Sequence, residues 1–160
     1  IEFNSLSKTY NLTGMRVSFA VGNRDMIQKF HAFRSQIDYG MWFPAQAGAV
    51  AALNGPQDIV RANRIGYQQR RDALCGGLRS IGWDVPDSQG TMFVWAKIPA
   101  GFASSAAFVL ELMDKTGVIC VPGESFGEMG QGYVRFALVV PPARMEEAVR
   151  RIAESGILNR

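Results

Sequence analysis

Two short apolar stretches open the chain, Ile1 to Phe3 and Val17 to Val21, with a polar loop between them and Gly22 after the second. Both predict strands. Gly22-Asn23 stops the second, and Asp25 stands where a helix N-terminus favours negative charge. Met26, Ile27, Phe30, Phe33 and Ile37 then recur at helical spacing, so a helix is expected from Asp25 to Asp38. Pro44 begins an alanine-rich stretch, Ala45 to Leu53, whose small side chains suit a closely packed helix ended by Asn54-Gly55. Pro56 sits at a first-turn position beside Asp58. Val60, Tyr67, Leu74 and Ile81 follow at heptad spacing with Leu78 on the same face, predicting one long helix from Pro56 to about Ser80.

After Gly82 the texture changes. Thr91 to Ile98 is β-branched and aromatic and lies between Gly90 and Pro99, the pattern of a strand. Ser104 or Ser105 can cap a helix with Phe108, Val109, Leu112 and Met113 on one side and Gly117 as its stop. Val118 to Val121 and Tyr133 to Val140 predict further strands across a glycine-rich loop. Pro141-Pro142 open a final helix whose Met145, Ala148, Val149 and Ile152 share a face, closed by Gly156. The order of elements predicts an α/β piece joined by a long helix to a small α+β lobe.

With 48% hydrophobic and 19% charged residues, the 160-residue chain can bury a core and is not a disordered tail. Seventeen basic against 14 acidic side chains leave a net charge of +3, too mild and scattered for a dedicated nucleic-acid binder. No apolar run approaches the roughly 18 to 20 residues of a membrane span, so no membrane partner is expected. The cysteines, Cys75 and Cys120, fit neither a disulfide framework nor a zinc pattern, which favours a reducing, cytoplasmic compartment. The chain begins at Ile1, a few residues before its most suggestive motif, and is expected to be a piece of a longer one.

That motif is Ser5-Leu6-Ser7-Lys8, followed by Tyr10, Thr13-Gly14 and Arg16. A lysine at a strand end beside hydroxyls, withdrawn from water, is a nucleophile toward a carbonyl and can form a Schiff base. Arg16 offers a planar fork for a phosphate, and Ser5 and Ser7 add donors. On spacing alone, Lys8 and Arg16 also read as solvated loop charges and the serines as turn residues. Arg135, on the late strand, reads by itself as a strand arginine facing water. His31 lacks partner ligands and reads as a packing or surface residue, so no metal site is expected. The two cysteines read as buried apolar side chains, and the glycines of Gly123 to Gly132 as turn residues. Trp42 and Trp95 read as packing aromatics, yet Phe93 and Trp95 flank Val94 on one strand, so one face of it can line a substrate pocket.

The run Ser5-Leu6-Ser7-Lys8-Thr9-Tyr10-Asn11-Leu12-Thr13-Gly14-Met15-Arg16 resembles the lysine motif of class I and II pyridoxal-phosphate aminotransferases, the aspartate aminotransferase superfamily. Asn54-Gly55-Pro56, Tyr67 to Asp72, Gly90 to Trp95, Pro122-Gly123 through Phe126-Gly127, and Gly132 to Arg135 follow in that family's order. Ser5 to Asn11 and Gly90 to Pro99 look most like the branch of LL-diaminopimelate, alanine and aspartate aminotransferases. The resemblance implies an α/β fold, the C-terminal part of a fold-type I pyridoxal-phosphate transferase. Residues 1–75 would be a remnant of the large-domain α/β/α sheet with the interdomain helix, and residues 76–160 the small α+β domain. It also implies that Lys8 binds pyridoxal 5'-phosphate as a Schiff base and shuttles a proton, and that Ser5, Ser7 and Arg16 hold the phosphate. Arg135 would bind the substrate α-carboxylate. The implied partners are an α-amino acid, a 2-oxo acid and a second copy of the chain, with a small lobe that closes over substrate. The part of such an enzyme not covered here would supply the aspartate at the pyridine nitrogen. Two other readings share the pattern: a lyase or synthase of the same fold, and a folded piece or dimerisation lobe inactive by itself.

Overall fold

The computed structural model describes residues 1–159. They form two compact units, residues 1–64 and the residues from Ile65 onward, and the boundary falls inside a single long helix.

In the first unit, β1 (Glu2–Ser5) and β2 (Ser18–Val21) pair antiparallel, with Glu2 opposite Val21 and Ser5 opposite Ser18. The twelve residues between them include a one-turn helix, α1 (Leu6–Thr9), which the hydrophobic pattern does not announce. Helix α2 (Arg24–Arg34) starts at Asn23, whose Oδ1 accepts from the amides of Asp25 and Met26 at 3.0 and 3.3 Å. α3 (Phe43–Asn54) opens with Pro44 in its first turn and leads to α4 (Asp58–Ser80). Leu6, Val17, Ala45 and Ala49 form this unit's small core, with Tyr10, Leu12, Met15 and Met41 against it.

The second unit has a sheet of its own. β3 (Phe93–Lys97), β4 (Val121–Pro122) and β5 (Tyr133–Ala137) are antiparallel in the order β3-β5-β4, so β5 is the middle strand. One face, Val94, Ala96, Val134 and Phe136, is buried in a core with Leu74 and Leu78 of α4. Phe108 and Leu112 of α5 (Ser105–Thr116) and Met145, Val149 and Ile152 of α6 (Pro142–Glu154) complete it. Trp83 meets Phe108 and Phe136 edge to face at 5.3 and 5.7 Å and donates its indole N–H to the Lys97 carbonyl at 2.8 Å. The period-2 alternation leaves Phe93, Trp95, Tyr133 and Arg135 on the opposite, partly open face.

The observed boundaries differ from expectation where partners, rather than local pattern, decide them. β1 runs to Ser5 because β2 supplies a partner that far. α2 ends at Arg34, and Ile37 instead donates to the Arg34 carbonyl in a tighter turn at 2.9 Å. Among the described residues, Val118 to Cys120 have no strand beside them, so β4 comprises only Val121–Pro122, where β5 is opposite. β5 stops at Ala137 because its last partner is Phe93, two residues after Thr91 turns with φ of 69°. Gly123 and Gly130 cross so closely that a Cβ on either would collide with the other's carbonyl. Gly117 ends α5 in the left-handed conformation, φ 69°.

Among the described residues, no helix is long and apolar enough to cross a membrane. Phe108 has no exposed surface and makes edge-to-face contacts with Trp83 and Phe102. Phe108→Ala is therefore expected to cost about 3 to 5 kcal/mol in urea unfolding, and a loss below about 1 kcal/mol would show that this core is wrongly drawn. Burial pushes the Cys75 thiol up and that of Cys120 to about 12. A raised thiol pKa withholds the thiolate, so both cysteines should stay slow toward a disulfide reagent from pH 7 to 9 in the native protein and react at once when it is unfolded. Fast native labelling would contradict that placement.

Candidate active site

The lysine turn is built from the end of β1. Ser5 is extended, φ −129° and ψ 142°, and serves as the N-cap of α1: its Oγ accepts from the Ser7 amide at 3.1 Å and donates to the Val17 carbonyl at 3.4 Å. The Leu6 amide donates to the same carbonyl at 3.3 Å. Leu6 and Val17, 2% and 6% exposed, anchor the turn from below, which leaves Lys8 on the open side. Its amine has no hydrogen bond or ion pair among the described residues. Of the two readings of Lys8, an amine withdrawn from water at a strand end and a solvated charge, its surroundings in these residues match the second: it follows the end of β1 but sits exposed on a helical turn.

The returning loop ties the other candidates to that turn. Thr13 Oγ1 donates to the Ser7 carbonyl at 3.2 Å, and Arg16 Nη1 donates to the Thr13 carbonyl at 3.2 Å. Asn11 and Arg16 both take left-handed backbone, φ 56° and 53°, at a cost of about 1 to 2 kcal/mol each. This bends the loop back so that Ser5, Ser7, Lys8 and Arg16 belong to one hydrogen-bonded cradle. Two hydroxyls and a guanidinium suit a phosphate, and an unpaired primary amine suits an aldehyde, so the donor set fits pyridoxal phosphate.

One brace escaped sequence reasoning. The Tyr10 hydroxyl donates to Gln57 Oε1 at 2.7 Å, and Gln57 Nε2 donates to the carbonyls of Ala52, Leu53 and Gly55 at 3.1, 3.4 and 2.7 Å. The residue that closes α1 is thereby fastened to the C-terminus of α3. No local signal marks a pair separated by 47 positions.

Arg135 belongs to the second unit. It stands opposite Trp95 on one side and Val121 on the other. Its guanidinium carbon lies 4.1 Å from the ring centre of Phe93 and 4.3 Å from that of Phe126, and its Nε is buried without a partner among the described residues. Trp95 stacks on Tyr133 at 5.7 Å and meets Phe126 edge to face at 5.8 Å. The alternation read at Phe93 and Trp95 thus produces an aromatic surface around one cation.

The remaining candidates stay outside these two places. His31 is exposed on α2, beside an open cleft shared with Arg34 and Asp38. The glycine-rich stretch forms two short 3-10 turns, Gly123–Phe126 and Glu128–Gly130. Among the described residues, no three His, Cys, Asp or Glu side chains are grouped to hold a metal ion.

A lysine turn after a strand, a 23-residue helix and an antiparallel lobe bearing a half-buried arginine are the architecture of fold-type I aminotransferases over part of their length. An aminotransferase structure from Staphylococcus aureus aligns with a TM-score of 0.91 at 34% identity, covering 99% of this chain and 42% of that one. The profile of the family described as aminotransferase class I and II matches residues 1–152, and the chain belongs to that family. It is 45% identical over 153 residues to the LL-diaminopimelate aminotransferase of Dehalococcoides mccartyi, covering 96% of this chain and 39% of the relative. To that of Halothermothrix orenii it is 43% identical over 157 residues, covering 98% and 40%. The chain thus spans about two fifths of the length of these curated relatives. Membership in this family implies pyridoxal phosphate as cofactor.

Tyr10→Phe removes the bond to Gln57 and nothing else. It should lower stability by about 1 kcal/mol and speed amide exchange across residues 6–10. Unchanged exchange there would mean that the brace does not hold the turn.

Proposed function

We propose that the full-length protein containing this chain is a pyridoxal-phosphate aminotransferase that moves the amino group of an α-amino acid to a 2-oxo acid. The supporting observation is that hydrogen bonds through Thr13 and Val17 tie the loop bearing Arg16 to the turn bearing Ser5, Ser7 and Lys8, in a chain of this family. When bound, the cofactor supplies an electron-withdrawing conjugated ring that stabilises negative charge at the substrate Cα.

The chain's own residues would do the following. Ser7 donates its hydroxyl hydrogen bond, Ser5 does so once its hydroxyl turns from the Val17 carbonyl, and Arg16 offers a charge-assisted fork to the phosphate. Lys8 holds the aldehyde carbon through Nζ, and once freed it accepts and returns the proton at the substrate Cα. Arg135 binds the α-carboxylate, for which a planar two-donor group is suited. The resemblance extends this reading to a homodimer, and the two free, buried cysteines support a cytoplasmic setting.

The full-length protein treated with pyridoxal phosphate and borohydride should carry the cofactor on the peptide containing Lys8, and should exchange amino groups between an amino acid and a 2-oxo acid. A label on another lysine, or no exchange, overturns the reading. Arg135→Lys loses the bidentate fork and should raise KM for both substrates about 10- to 100-fold while leaving the Lys8 label intact. An unchanged KM moves the carboxylate role elsewhere.

A further inference from the structure

We propose that Phe126, together with Phe93, is a positioning residue that sets carboxylate affinity by clamping the guanidinium of Arg135. The inference rests on the assignment of the substrate carboxylate to Arg135. Phe93 is the diagonal neighbour of Arg135 on the same face of the sheet, since Arg135 stands opposite Trp95 and Phe93 lies two residues away. Phe126 comes from the loop beyond β4, on the other side of the middle strand. With ring centres at 4.1 and 4.3 Å from the guanidinium carbon, two aromatic rings cover the cation. Each ring is attracted to it by its electron-rich face and keeps water from it. A guanidinium so covered donates only in its own plane, the direction in which a carboxylate accepts two parallel hydrogen bonds. Its buried Nε has no partner among the described residues, so in-plane donor capacity is left unspent.

Phe126 is half exposed, yet its loop is fastened at several points. Glu124 Oε1 accepts from the Ala106 amide at 3.0 Å, in the first turn of α5. The neighbouring Ser105, fully buried, accepts at Oγ from the Gly132 amide at 2.9 Å, where the loop re-enters β5. The Gly123–Gly130 crossing closes the loop at its neck, and Trp95 supports the Phe126 ring edge to face. One helix terminus therefore grips both arms of the loop, and the ring is presented to Arg135 in a fixed place, so little ordering remains to be done when a carboxylate binds.

The test uses the full-length protein and 3-phenylpropionate, a carboxylate with no reacting centre, titrated by calorimetry alongside steady-state kinetics with a 2-oxo acid. Phe126→Leu should weaken 3-phenylpropionate binding and raise KM about tenfold. Lys8 labelling should be unchanged and kcat should stay within about twofold, because the interaction is uniform between ground and transition states. Phe126→Tyr keeps the ring and should restore affinity. In an Arg135→Lys background, Phe126→Leu should add no further loss, which a general weakening of the lobe would not reproduce. Affinity unchanged in Phe126→Leu while Arg135→Lys weakens binding overturns the clamp and leaves the carboxylate assignment standing. An equal effect of Phe126→Leu in both backgrounds also overturns the clamp. Affinity unchanged in Arg135→Lys itself overturns the assignment and the clamp with it.

Discussion

One carbonyl oxygen organises the first unit. That of Val17, a residue almost fully buried, accepts from the Leu6 amide and from the Ser5 hydroxyl. These two bonds oblige the chain to leave β1 and turn into a helix at one place, with Leu6 inward and Lys8 outward. The left-handed residues Asn11 and Arg16 then become tolerable, because the returning loop is held at both ends and the strain is stored where the donors converge. The site is therefore a product of backbone geometry first and of side-chain identity second.

The second unit solves a different problem. A guanidinium on a middle strand, with core on the reverse face, is partly desolvated whether or not a ligand is present. Aromatic faces supply the compensation that water would otherwise provide, and they do so without occupying the in-plane N–H groups. A carboxylate or hydroxyl placed at Arg135 would have satisfied the charge as well and used up its binding capacity. The two units also differ in how far they bury themselves. The second holds a continuous core that includes Phe108, Leu78 and Ile152, whereas the first buries four side chains and leaves Phe33, Trp42 and Phe43 at 68%, 73% and 82% exposure.

Long periodic elements were legible in the sequence: α4, α5 and α6 carry their buried residues at helical spacing, and Ser104 and Gly117 mark the ends of α5. Phe93 and Trp95 announced their shared face through alternation with Val94. α1 was not legible, because four residues with one buried side chain have no period to read. The extent of β4 was set by the strand opposite it, and the Tyr10–Gln57 brace by two helices meeting. Phe126 was hidden among glycines that read, correctly, as turn residues; nothing local says where such a turn aims its one aromatic ring. Lys8, Ser5, Ser7 and Arg16 stood out as a motif, but the bonds that tie the loop of Arg16 to the lysine turn became visible only through Thr13 and Val17.

The measurement that bears most directly on this account is a crystal structure of the full-length protein grown with pyridoxal phosphate. The account predicts continuous density from Lys8 Nζ to the cofactor, with the phosphate against the hydroxyls of Ser5 and Ser7 and the guanidinium of Arg16. A phosphate bound elsewhere, with Lys8 free and Arg16 turned to solvent, would contradict it.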